Sequence, residues 1–272
     1  MGVDKGVTVT FFPTKTFSKC LIVKKLCPCR IYSIVGIALL IHLPKKEKEM
    51  ETGNRYNVFN NIHKGLRGML FDTQIKIQQT DFTSPEAAVV IGNLEQVLMF
   101  FDEHADHEDR FILANIVKQE PVISQELEND HVLDHKLGEG LMDYILQWKQ
   151  ALTAKDKALA GQQIFYAFNE FIAFNLYHMN KEENQLLVLL WKHYTDEEIH
   201  GMEAQILESI NPQVLMEESR WMMRSMSVPE IAGWLQGIKM NAPEPVYGMF
   251  VQMAEEELPA ARFERLQVAT AI

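Results

Sequence analysis

Histidine and glutamate residues recur at a spacing of four in this sequence, and one further histidine precedes them. The residues concerned are His63, His104, Glu108, His131, His135, His178 and Glu182. Residues four apart share one face of an α-helix, with Cβ atoms roughly 5 to 6 Å apart. Imidazole and carboxylate groups together are ligands for iron, zinc or copper. The spacing therefore predicts a metal site to which four helices contribute these seven side chains.

Four long amphipathic helices are predicted to position these ligands. Apolar residues follow the helical period in each of them, and Ser84-Pro85-Glu86 and Glu120-Pro121 mark helix boundaries. The predicted helices span about 54–79, 86–117, 122–152 and 153–192. Short connections between long helices predict an all-α fold, an up-down-up-down four-helix bundle over residues 54–194.

A C-terminal helical extension is predicted for residues 195–272. The segment Thr195-Asp196-Glu197-Glu198 has the pattern of a capping box that opens a fifth helix. Shorter helices separated by prolines follow it, and they carry no ligand-like cluster. We expect this extension to serve packing, self-association or the binding of a protein partner.

The first 53 residues differ in charge from the rest of the chain. Residues 1–49 contain nine Lys or Arg against three Asp or Glu, whereas residues 50–272 contain 17 against 34. The apolar run at 31–43 is shorter than the roughly 20 residues of a membrane span. We expect a leader that is disordered or lies upstream of a start at Met50, and no membrane anchor.

The acidic charge of residues 50–272, the body of the chain, bears on nucleic-acid binding, and the positions of the cysteines bear on the cellular compartment. The body has no basic stripe with which to neutralise phosphates, so nucleic-acid binding is not expected. All three cysteines, Cys20, Cys27 and Cys29, lie in the leader. A body without cysteine suits a reducing compartment, and the prediction is cytoplasmic.

The order and spacing of the ligands resemble those of a hemerythrin-type (HHE cation-binding) domain. This resemblance covers roughly residues 56–191, about half of the chain. It implies a bundle holding two non-haem iron ions joined by an oxo or hydroxo bridge. By that resemblance His63 is the lone ligand of the first helix, and each later helix supplies two: His104 with Glu108, His131 with His135, and His178 with Glu182.

The last ligand departs from the oxygen-carrying members of the family, which have aspartate five residues after the final histidine. This chain offers Glu182 at plus four and Glu183 at plus five. The plus-four glutamate resembles the iron-sensing and nitrosative-stress branches. Helix geometry also favours Glu182 as the ligand, with Glu183 in solvent. His107 lies one turn from His104 and beside Asp106, so it could support the ligands from behind, but a partly exposed position among charged residues is expected.

Three functions remain open at this point. The first is a di-iron protein that binds O2, NO or a related small ligand at one open iron position, for sensing, storage or stress defence. The second is a di-iron enzyme of iron-sulfur repair or of NO or peroxide reduction. The third is a metal-free helical interaction protein. No side chain resembles a dedicated general base or nucleophile, so a binding protein is preferred over an enzyme.

Overall fold

The computed structural model describes residues 55–271, which fold entirely as helices, turns and loops without a β-strand. This confirms the predicted all-α class. The predictions made for the leader, residues 1–53, lie outside the described residues. No helix within 55–271 has both the length and the apolar character needed to cross a membrane.

The first part of the described chain contains four long helical segments. Two of them contain a π-helical turn, at Asp109–Leu113 and at Glu182–Leu186, and continue as α-helix beyond it. The α-helices are α1 (Asn60–Gln79), α2 (Ala87–Glu108), α3 (Ala114–Ile116), α4 (Pro121–Gln150), α5 (Ala154–Lys181) and α6 (Leu187–His193). Their bounds agree with the predicted helices to within a few residues at most ends.

The start of α1 is the main difference from the predicted bounds. The helix begins at Asn60, whereas the sequence pattern placed its start near Asn54. The side chain of Asn57 accepts hydrogen bonds from the backbone N–H groups of Phe59 and Asn60. These two N–H groups are therefore bound by a side chain and not by backbone carbonyls of a preceding helical turn. The helix accordingly begins after Asn57 and not near Asn54.

The second part of the chain is a series of regularly spaced short helices. They are α7 (Asp196–Ser209), α8 (Pro212–Ser225), α9 (Val228–Asn241), α10 (Glu244–Glu257) and α11 (Ala260–Thr270), and each begins 16 residues after the previous one. Thr195 and Ser227 form capping boxes, and the Asn211 side chain caps α8. Together these caps satisfy free N–H groups at three of the five helix starts.

The long helices contact one another in pairs around a common core. Helix α1 contacts α2 and α5, and α4 contacts the same two helices. Buried side chains from all four form one hydrophobic cluster that includes Leu70, Leu94, Leu141 and Phe168. This arrangement brings the inner faces of α1, α2, α4 and α5 together, and six of the seven candidate ligands meet between these helices.

Helix α8 packs closely along α1. A Cβ atom built on Gly65 would lie 3.0 Å from the Cγ and 3.1 Å from the backbone nitrogen of Met222. A Cβ on Gly68 would overlap the hydroxyl of Ser225. The two glycines therefore permit the backbones of α1 and α8 to approach, and this contact joins the C-terminal helices to the first part of the molecule.

Candidate metal centre

Six of the seven predicted ligands converge between the long helices. They form two groups, and in each group one potential ligand atom per residue lies within 4.8 Å of all the others. The first group is His63, His104, Glu108 and Glu182, and the second is Glu108, His131, His178 and Glu182. Glu108 and Glu182 belong to both groups, so the geometry is that of two adjacent sites sharing two carboxylates.

The two oxygens of Glu108 face different histidines. Its Oε1 lies 3.6 Å from His63 Nε2 and 3.2 Å from His104 Nε2. Its Oε2 lies 3.4 Å from His131 Nε2. One carboxylate thus presents one oxygen to each group.

Glu182 divides its oxygens in the same way. Its Oε2 lies 3.5 Å from His63 Nε2, and its Oε1 lies 3.8 Å from His131 Nε2 and 3.1 Å from His178 Nε2. Each group therefore offers two imidazole nitrogens and one oxygen from each glutamate.

The facing atoms of this cluster are buried and lack hydrogen-bond partners within the described chain. Both carboxylate oxygens of Glu108 and of Glu182 are in this condition, as is Nε2 of His63, His104 and His131. A buried polar group left unpaired costs roughly 1–3 kcal/mol, and more if it is charged. Seven such atoms meeting at one place fit a site whose missing partners are metal ions.

A second carboxylate fixes one histidine in each group. Asp109 Oδ1 lies 2.7 Å from His131 Nδ1, and Glu183 Oε1 lies 2.8 Å from His63 Nδ1. Arg67 donates a hydrogen bond of 2.7 Å to the same oxygen of Glu183. A carboxylate on Nδ1 orients the ring and leaves Nε2 free to bind a metal.

Each of these carboxylates directly follows a shared glutamate, at the start of a π-helical turn. Asp109 begins the first π turn and Glu182 begins the second, with Glu183 next to it. Such turns are rare and are frequently found at functional sites. Here both occur where two consecutive acidic residues point toward the cluster.

The buried charges shift the pKa values of the histidines in opposite directions. Burial lowers the pKa of His63, but the facing carboxylates of Glu108 and Glu183 outweigh it and raise the value to about 9. For His131 the same competition, with Asp109 as the strongest partner, gives a pKa of about 12. Burial dominates at His104 and lowers its pKa to about 4.

His135 is the predicted ligand that the structure does not bring to the cluster. Its Nδ1 lies 2.6 Å from Asp102 Oδ1 at the surface, and its side chain is 41% exposed. The buried stripe of α4 runs through Leu127, His131, Asp134 and Leu141. Because this stripe advances by three residues after His131, position 134 faces inward and position 135 faces its edge.

Two neighbouring residues also differ in part from expectation. Glu182 is the glutamate that enters the cluster, in agreement with the prediction, but Glu183 is not simply in solvent because it contacts His63 and Arg67. The prediction that His107 is partly exposed is wrong, since only 8% of it is exposed. It lines a cavity together with side chains of the C-terminal helices such as Ile206 and Met222, and the local charge pattern could not reveal this.

No protein-family model, curated protein or solved structure matches this chain.

Proposed function

We propose that this chain is a di-metal protein of the hemerythrin type, with two iron ions held by His63, His104, Glu108, His131, His178 and Glu182. Its four long helices would form an up-down-up-down bundle around that centre. The proposed ligand is O2, NO or a related diatomic molecule. We also propose a cytoplasmic location, since the cysteines lie only at positions 20, 27 and 29.

One observation supports this proposal above the others: Glu108 and Glu182 each turn one oxygen toward each histidine pair. Shared carboxylates are the usual way in which two metal ions are kept close together in helical proteins. A single-metal site would have no use for the second oxygen of both residues. Nitrogen and oxygen donors without sulfur fit iron, and also zinc or manganese.

The residues of the chain would hold, orient and shield the metals. The four histidines and two glutamates provide ligand atoms, and Asp109 and Glu183 hold the rings of His131 and His63. Phe59 stacks on His63 with ring centroids 5.1 Å apart, and this packing keeps water from that side. When bound, two ferrous ions supply two reducing equivalents and open coordination positions for a diatomic ligand.

The metal-free alternative fits these observations less well. Without metal, the unpaired buried atoms of Glu108 and Glu182 would lower the stability of the fold. Metal ions would satisfy all of them at once. The iron-sulfur repair or NO-reducing enzyme would use the same ligand set, so measurement of turnover separates it from a binding protein.

Metal analysis of anaerobically reconstituted protein tests the proposal. We expect two iron ions per chain, and an absorption band in the visible or near-ultraviolet region after exposure to air. Glu182→Ala should reduce the content below one iron per chain, because it removes a ligand from both groups.

His135→Ala is the matched control for this experiment, with His131→Ala as its partner on the same helix. His135→Ala should retain two iron ions, whereas His131→Ala should lose at least one. The proposal is rejected if wild-type protein binds less than one metal ion per chain from iron, zinc and manganese alike.

A further inference from the structure

A mainly apolar cavity of about 230 Å³ lies between the metal cluster and the C-terminal helices. Side chains from α1, α7, α8, α9 and α10 form its walls, including Ile62, Ile206, Met222, Trp234 and Phe250. Leu207, which also lines it, is 45% exposed, whereas Phe59 and Ile112 are buried. The cavity therefore extends inward from the protein surface beside α7.

The cavity is lined by a histidine of one metal group and by neither histidine of the other. His104 and Glu108 line it, while His131 and His178 do not. The side chain of His104 is 12% exposed, against at most 5% for each of the other five cluster residues. Access to the cluster is thus asymmetric, although the ligand sets of the two groups are equivalent.

Polar groups without partners lie in this apolar lining. The Ser219 hydroxyl is buried and has no hydrogen-bond partner within the described residues. Glu218, its neighbour on α8, is 5% exposed, and burial together with the nearby charge of Glu103 raises its pKa to about 7. Buried polar groups are nearly always paired, so a serine and a carboxyl facing a cavity indicate a ligand that pairs with them.

We propose that this cavity binds an uncharged organic molecule with an apolar body and one hydroxyl group, and that the hydroxyl pairs with Ser219 and Glu218. The position next to His104 connects this inference to the proposed function. The binding site itself requires no metal, because Ser219, Glu218 and the apolar walls belong to the protein alone.

The size of the cavity limits the size of the ligand. A dry cavity of about 150 Å³ holds benzene, so the space here suits a molecule of roughly nine non-hydrogen atoms. Its lining also selects against charge. Glu108, Glu203 and Glu218 all face the space, and these carboxyl groups would repel an anion. An ion of either sign would also have to give up its water to walls that are mainly apolar.

Titration calorimetry with the full chain as purified tests this inference, with 2-phenylethanol as the probe. We expect saturable binding of one molecule per chain. Phenylacetate, which is similar in size but anionic, should bind at least tenfold more weakly. The inference fails if 2-phenylethanol does not bind at millimolar concentration, or if phenylacetate or 2-phenylethylamine binds as tightly.

A cavity-filling variant and a matched control locate the binding site. Ile206→Trp places a large side chain in the lining of the cavity and should weaken binding at least tenfold. Ala204→Trp adds the same side chain on the exposed face of α7, and it should change the affinity less than twofold. Equal effects of the two variants would place the ligand elsewhere and overturn the assignment.

The hydroxyl contact has a separate test. Ser219→Ala should weaken 2-phenylethanol roughly 2- to 10-fold while leaving ethylbenzene, which has no hydroxyl group, unchanged. An equal change for both probes would contradict the proposed pairing. All binding measurements are repeated after chelator treatment. If the protein binds 2-phenylethanol but no metal, the cavity inference holds and the proposed function is rejected. If the protein binds metal but not 2-phenylethanol, the proposed function holds and the cavity inference is rejected.

Discussion

At the scale of single residues, the carboxylates that contact His63 and His131 matter as much as the predicted ligands themselves. Glu183 and Asp109 contact the ring nitrogen that faces away from the cluster. They would fix the tautomer and the direction of each ring before a metal binds. Partners of this kind usually change metal affinity when they are removed.

We predict that Asp109→Asn lowers metal affinity by roughly 10- to 100-fold without unfolding the protein. The cause would be loss of the charged acceptor at His131 Nδ1. Competition with a chelator of known affinity measures the effect. Asp106→Asn is the matched control, since Asp106 is exposed and pairs with Arg110; an equal loss in this variant would refute the orienting role.

Metal affinity is also expected to rise with pH. The raised pKa values of His63, about 9, and His131, about 12, mean that both rings carry a proton at neutral pH. A metal ion must displace these protons, so each proton released adds up to tenfold in apparent affinity per pH unit. We expect roughly one to two orders of magnitude per unit between pH 6 and 8. If chelator competition gave the same affinity at pH 6 and pH 8, His63 and His131 would not be metal ligands that must lose a proton.

The sequence predicted the ligands well where spacing alone decides the direction of a side chain. His104 with Glu108, and His178 with Glu182, each turn toward the cluster as an i, i+4 pair should. His135 failed the same rule because the neighbours of α4 select position 134 for the interior. Asp109 and Glu183 were missed as ring partners, although each directly follows a glutamate ligand, because the π-helical turns have no recognised sequence signal.

At the scale of helices, the contact between α1 and α8 connects the metal cluster to the cavity. It depends on Gly65 and Gly68, where a side chain would meet Met222 or Ser225. Because α8 also carries Glu218 and Ser219, the separation of these helices sets the shape of the cavity.

Gly65→Ala is predicted to lower the free energy of unfolding by about 1–3 kcal/mol. Alanine gains up to about 1 kcal/mol of helix propensity over glycine, but its Cβ would press on the backbone of Met222. Chemical denaturation measures the change. Gly92→Ala is the control, because nothing lies within 4 Å of a Cβ there, and it should stabilise the protein slightly. Stabilisation by both substitutions would show that α1 and α8 do not pack as described.

Helix boundaries were largely predictable because capping residues and prolines act locally. Pro121 and the capping box at Thr195 lie at the observed helix starts, whereas Ser84-Pro85 precedes α2, whose N-cap is Glu86 without a side-chain cap. The burial of His107 and the cavity itself were not predictable in this way. They arise where α7 to α10 pack against α1 and α2, and contacts between distant segments leave no periodic pattern in the sequence.

For the whole molecule, metal binding should contribute measurably to stability. A ligand present at a thousand times its dissociation constant adds about 4 kcal/mol, or roughly 10 °C in Tm for a domain of this size. We therefore expect chelator treatment to lower Tm by about that amount. In the double variant His104→Ala, His178→Ala the chelator should have no effect; an unchanged Tm in the wild-type protein would favour the metal-free interaction protein.

The pair α1 and α2 and the pair α4 and α5 each contribute side chains to the histidine group of the other pair, and this has a consequence for how the centre assembles. Helices α1 and α2 carry His63, His104 and Glu108, yet the first site also needs Glu182, and His63 is braced by Glu183 from the other pair. Helices α4 and α5 depend in turn on Glu108 and Asp109. Neither pair of helices holds a half-site of its own, so binding of two ions should be cooperative, with the first ion ordering the shared carboxylates for the second.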